Sequence, residues 1–144
     1  MNRIVYNLIV ILFLLGPAFV TAEENFKAYP GAQNDTKMSE EASQVQPGTK
    51  VEVYTTGDSF DQVKTFYKNL YKEYNMPANA PNIGDKKAEW AFFLIDGGKD
   101  LQDSKHWMKI QRPYVGSFKM EGLKPIYSDI RDVTSIEVIQ KSSD

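Results

Sequence analysis

A chain of 144 residues, 42% of them hydrophobic, has the length and composition of one globular domain. It contains no cysteine, which excludes disulfides, thiol catalysis, thiolate metal sites and lipid attachment through cysteine. Its formal charge is −2 and no basic cluster stands out, so it lacks the concentrated positive surface that nucleic acid needs.

Residues 1–22 read as a secretory signal peptide. Arg3 gives a positive start, Ile4 to Leu15 is mostly apolar, Gly16-Pro17 breaks the run, and Val20-Thr21-Ala22 offers small residues before a cut. The protein is therefore expected to be periplasmic or secreted. It would meet a membrane only during export, or if the apolar run stays uncleaved as a tether. Residues 23–49 are polar and read as a flexible lead-in with a Tyr29-Pro30-Gly31-Ala32 turn and an edge strand near Phe26 to Tyr29. Asn34-Asp35-Thr36 fits the N-glycosylation pattern.

Residues 50–140 read as a single α+β domain. Lys50 to Thr56 alternates, with Val51, Val53 and Thr55 on one face and Tyr54 on the other, as in a half-buried strand. Gly57 turns the chain into a helix opened by a capping box, Ser59 with Gln62 three residues on. Phe60, Val63, Phe66, Tyr67, Leu70, Tyr71 and Tyr74 then fall on one face at helical spacing. Asn75 and Pro77 end the helix, which is predicted to be roughly 24 Å long. Glu89 to Ile95 is apolar on both faces, as expected of a central strand covered on both sides. Asp96-Gly97-Gly98 marks a turn, and His106 to Gln111 resumes a strand that Pro113 stops.

Tyr114 to Arg131 is too apolar for a free linker but has no clean period. It is expected to lie against the sheet, with a short helix or turn near Pro125 to Ile130. Val133 to Gln140 is the last strand, with Ile136 and Val138 inward, and 141–144 is a polar tail. The order is strand-helix-strand-strand-strand. It predicts a two-layer fold in which one long amphipathic helix packs on a mostly antiparallel four-stranded sheet.

Tyr29-Pro30-Gly31-Ala32, Val53-Tyr54-Thr55-Thr56, Asp58-Ser59-Phe60 and the Val63, Phe66-Tyr67 set resemble a group of small exported bacterial proteins of unknown function. Those share a Tyr-Pro-Gly-Ala turn, a strand ending in Tyr-Thr-Thr and a helix beginning Asp-Ser. The resemblance implies a bacterial envelope protein and assigns no catalytic residues.

The chemistry of the chain is sparse. His106 is the sole histidine, and no Gly-x-Ser-x-Gly elbow accompanies it. Asp96, Asp100 and Asp103 cluster, but not in the register of a calcium loop. Gly97-Gly98 belongs to neither a P-loop nor a dinucleotide motif. No cofactor or metal is expected. The surplus of aromatics suggests a non-catalytic binding module whose interaction surface includes Tyr54, Trp107 and Tyr114, for an unknown protein or small-molecule partner in the cell envelope. The alternative is a small-ligand or weakly hydrolytic pocket between helix and sheet, near Trp90, Phe92 and Tyr71.

Overall fold

The structure is a computed structural model and describes residues 25–142. The signal peptide read over 1–22 lies outside the described residues. In chain order the elements are β1 (Gln33–Asn34), α1 (Thr36–Val45), β2 (Thr49–Thr56), α2 (Phe60–Lys68), β3 (Lys72–Tyr74), β4 (Asn82–Ile83), β5 (Lys86–Lys87), β6 (Glu89–Leu94), β7 (His106–Arg112), β8 (Tyr114–Glu121), β9 (Lys124–Arg131) and β10 (Thr134–Lys141). Strands hold 46% of the described residues and helices 16%, so the architecture is mostly β. This corrects the expected α+β fold of one long helix on four strands. The body is a six-stranded antiparallel sheet in the order β1-β2-β10-β7-β6-β3. β4 with β5, and β8 with β9, form two separate hairpins.

The four strands read from alternation are all present, and they lie side by side as β2-β10-β7-β6. Two short strands extend this set at its edges. The long helix is where the expectation fails. The capping box forms as read: Gln62 N–H donates to Ser59 Oγ at 3.3 Å, and Ser59 N–H donates to Gln62 Oε1 at 3.0 Å. Yet α2 ends at Lys68 after nine residues, with Asn69 as its cap, and Lys72–Tyr74 become β3. There they pair with Leu94–Phe92 at the edge of the most apolar strand. Backbone groups beside such a strand need partners, and Tyr74 suits a strand as well as a helix. The Lys64–Glu73 ion pair at 2.9 Å ties α2 to the new strand. Leu70, left in the turn between them, is exposed.

Both faces of the sheet are covered. On one, Phe60, Val63 and Tyr67 of α2 pack against Ala91, Phe93, Ile95, Met108, Ile110, Ile136 and Val138. Residues 25–32, expected to be a flexible lead-in, run across this same cluster as a strap. Phe26 lies 5.4 Å from Tyr54 and 5.9 Å from Tyr67, and Tyr29 meets Phe66 edge-on at 5.2 Å. Tyr67 Oη donates to the Lys27 carbonyl at 3.1 Å, and Lys27 N–H donates to Tyr71 Oη at 2.9 Å. Tyr54 therefore lies on the face that α2 covers, under Phe26, rather than on an open interaction surface.

On the other face, Met38 of α1 packs with Val51, Val53, Tyr114 and Ile139, flanked by Ala42, Trp107 and Val133. α1 also falls in the stretch expected to be lead-in. Asp35 caps it, accepting from Met38 N–H at 3.1 Å, and Met38 and Ala42 share its inner side. It does a second job at the sheet edge. Ser39 Oγ accepts from Val53 N–H at 2.8 Å, Ser43 Oγ accepts from Val51 N–H at 2.9 Å, and Asp35 N–H donates to the Val53 carbonyl at 2.8 Å. Serines one turn apart thus stand in for a neighbouring strand beyond the two residues of β1.

Of the segment Tyr114 to Arg131, Tyr114 packs into this cluster, but the segment forms no helix and its outer half does not lie over the sheet. It is a two-stranded antiparallel arm, β8–β9, joined by the two-residue turn Gly122-Leu123. Gly122 has φ +64°, which suits the first position of a tight hairpin turn.

Candidate functional site

The arm has a clamped base and an uncovered end. At the base Tyr114 is buried in the second cluster, and burial, then the Glu137 carboxylate, pushes its hydroxyl up to about 12. Across from it, Arg131 lies over the Tyr114 ring at 5.9 Å. Arg131 also binds Asp129 through Nε at 3.1 Å and Nη2 at 2.9 Å, and reaches Asp35 at 3.4 Å. These bonds hold the Asp129 carboxyl below its ordinary value and raise the guanidinium. Asp35 thereby links the cap of α1, the edge of β2 and the root of the arm. Arg112, just before the arm, donates to the Asp58 carbonyl at 3.0 Å, Thr134 Oγ1 at 3.1 Å and the Asp132 carbonyl at 3.1 Å.

Beyond the base the side chains lose cover. Phe118 is 64% exposed, Met120 56% and Leu123, at the apex, 98%; Ile126 and Ile130 are exposed as well. Strand alternation sorts them. Phe118 and Met120 of β8 share a face with Tyr127 and Pro125 of β9, and the Phe118 and Tyr127 rings lie 6.4 Å apart. The opposite face of the same end carries Lys119, Glu121, Lys124 and Ile126, with a Lys119–Glu121 ion pair at 2.8 Å. The outer half of the arm is thus amphipathic, with an aromatic side and a charged side.

The three residues expected to form one surface are separated. Tyr54 is half-buried under Phe26 on the α2 face. Trp107 and Tyr114 share the opposite face, within the second cluster. Trp107 Nε1 is buried there without a hydrogen-bond partner. The expected pocket residues are divided as well. Tyr71 stacks on Tyr67 at 6.0 Å on the α2 face. Trp90 and Phe92 meet at 5.4 Å, and Phe92 lies 6.3 Å from Trp107 on the other face. The three line no common cavity. An open depression of about 400 Å³ lies instead between α1 and β2, lined mainly by polar side chains such as Ser39, Glu40, Gln44 and Lys50.

The acidic loop is internally satisfied. Asp96 accepts from Ser104 Oγ at 2.6 Å and from the N–H groups of Lys105 at 2.7 Å, Gly98 at 3.1 Å and His106 at 3.1 Å. Partial burial raises its carboxyl, but these bonds together bring it below the ordinary value. Asp100 accepts from Gln102 and Asp103 N–H, both at 2.9 Å, and Asp103 from Lys99 N–H at 3.2 Å. The three carboxylates hold the turn from β6 to β7. Among the described residues no group of His, Asp or Glu is arranged to hold a metal ion. His106 opens β7 with its backbone bonded to Asp96, Ile95 and Ser104. No described helix is long and apolar enough to cross a membrane. Compared with protein families, curated proteins and solved structures, the chain matches none.

Proposed function

We propose that this chain is an exported cell-envelope protein that works by non-catalytic contact, with the β8–β9 arm as its contact surface. The observation that carries the reading is where apolar surface is left uncovered. Among the described residues, five of the seven large hydrophobic side chains that are exposed, Phe118, Met120, Leu123, Ile126 and Ile130, belong to this one hairpin. Phe118 and Met120 share one face of its outer half, Leu123 stands at the apex, and Ile126 and Ile130 lie on the other face; exposed apolar side chains gathered on one element mark a contact site, whereas scattered ones do not. A two-stranded ribbon is also marginally stable alone in water, so a partner that covers it adds order as well as contact. Export rests on the pattern of residues 1–22.

The non-catalytic part is supported by the use of the reactive side chains as scaffold. Asp96, Ser104 and the His106 backbone bind one another, and the Asp100 and Asp103 carboxylates cap their own loop. A photo-crosslinking residue placed at Phe118, compared with one at Leu70 on the body, tests the reading in intact envelopes. Discrete adducts from position 118 that are lacking at position 70 are expected. Equal and diffuse labelling from both positions would refute the arm as the contact surface.

A further inference from the structure

The arm's two edges are not equivalent. Glu121 faces Lys124 across the two-residue turn, so that pair is hydrogen-bonded within the arm, and the pattern alternates from there. Lys119 with Ile126, Ser117 with Ser128 and Val115 with Ile130 are then bonded inward. Tyr114, Gly116, Phe118 and Met120 on β8, and Pro125, Tyr127, Asp129 and Arg131 on β9, turn their backbone groups outward. On β9 this edge is blocked: Pro125 has no N–H to offer, and Asp129, at φ +52°, breaks the extended run. On β8 nothing blocks it. The body protects its own long edge, since β1, Asp35 and the serines of α1 occupy that of β2. The edge of β8 is left open along the same stretch that carries exposed Phe118 and Met120.

We infer that β8 pairs with β8 of a second copy of this chain, antiparallel about a two-fold axis at Ser117, to make a four-stranded sheet β9-β8-β8-β9. The inference rests on the arm being the contact surface. The sequence of β8 is complementary to itself in this register. Gly116 lies opposite Phe118 of the second copy, and Tyr114 opposite Met120. Each open backbone group finds a partner, giving about eight new hydrogen bonds. The place a side chain would fill at Gly116 is taken by the Asp129 carboxylate of its own arm, so the ring of the second copy lies beside both. Lys119 faces Val115, so no like charges meet. Moving the axis to Lys119 would set two ammonium groups against each other.

Pairing joins the aromatic sides of both arms, Phe118, Met120, Pro125 and Tyr127 from each, into one face. The contact uses the same patch on both copies, so it closes at two. Seven paired residues cover on the order of 400 Å² a side, about half of a standard interface, which places the dimer among weak, reversible ones.

Sedimentation velocity of the full chain from about 1 to 300 µM spans the dissociation range expected of such an interface. A concentration-dependent shift from monomer to dimer is expected. Met120→Pro, which removes an outward N–H and no bond inside the arm, is expected to weaken association at least tenfold. Because the chain has no cysteine, single substitutions report the register directly. Ser117→Cys, on the axis, is expected to give a disulfide-linked dimer under mild oxidation. Ser128→Cys, its neighbour on the far strand of the same arm, is expected to remain monomeric.

A monomer at every concentration, or equal crosslinking from positions 117 and 128, would overturn the inference. If the chain is monomeric but position 118 still gives discrete envelope adducts with another protein, self-pairing fails and the arm reading stands. If neither self-association nor adducts depend on the arm, both fail.

Discussion

The body and the arm use the same kinds of residue to opposite ends. In the body, aromatic rings meet one another. Tyr67 is fully buried and touches Phe26, Tyr29, Phe66, Tyr71 and Phe93, and its buried hydroxyl is held far above its ordinary pKa. In the arm, Phe118 meets Tyr127 and then water. Sheet edges follow the same division, with serines and a two-residue strand closing that of β2 while that of β8 lies open. Apolar content alone therefore does not say whether a segment belongs to the core. What decides is whether the chain supplies a second layer for it.

The sharpest way to break this comparison is at Tyr67. Tyr67→Ala removes the ring on which α2, the strap and β6 converge. It is expected to cost about 4 kcal/mol in urea unfolding, the scale of other buried aromatic deletions. A loss under about 1 kcal/mol would show that the strap and α2 do not form one cooperative core with the sheet.

Asp96 comes next. Its carboxylate holds the β6–β7 turn through four donors, so Asp96→Asn is expected to cost about 2 kcal/mol at neutral pH. The pH dependence has a defined sign. The folded carboxyl sits below the ordinary 3.8, so its contribution is complete above that value and is lost as pH falls through the lowered one. Unfolding curves of the two proteins should therefore converge in acid. A gap that persists unchanged at pH 2 would mean that the carboxylate's charge is not what holds the turn.

Ser43→Ala tests how the β2 edge is closed. It leaves Val51 N–H facing the helix without an acceptor, which is expected to cost about 1–2 kcal/mol. It should also speed amide exchange at Val51. Unchanged exchange would show that the helix's bulk, rather than its hydroxyls, guards the edge.

Much of the body was legible because its strands are long and patterned. The alternation at Lys50 to Thr56 and the two-sided apolar run at Glu89 to Ile95 give the right elements, and the Ser59–Gln62 spacing gives the right start of α2. Its end was not legible, because Tyr74 continues the helical stripe yet suits a strand equally well. Only the unpaired edge of β6 decides between them. The face of Tyr54 was lost for a similar reason: alternation gives two faces but not which helix covers which. α1 carried a weak signal in Asp35 followed by Met38 and Ala42, hidden by its polar remainder. The arm carried a clearer one. Glu121-Gly122-Leu123-Lys124 places glycine first in a two-residue turn, with Phe118 and Met120 alternating before it. Its apolar side chains suggested a covered segment, and the structure gives them no cover.

The smallest expected change in stability is the one that separates the two regions most cleanly. Phe118→Ser deletes a ring as large as those of the core, but one that is 64% exposed. Little apolar area leaves the folded state with it, so the unfolding free energy should move by no more than about 0.5 kcal/mol, against about 4 for Tyr67→Ala. The same substitution removes the ring expected to lie beside Gly116 of a second copy, so association should weaken while the body stays folded. Circular dichroism and urea unfolding at low micromolar concentration measure the first effect, and sedimentation at high concentration the second. A drop of 2 kcal/mol or more in the monomer would place Phe118 in the core after all, and the contrast between an enclosed body and an open arm would no longer hold.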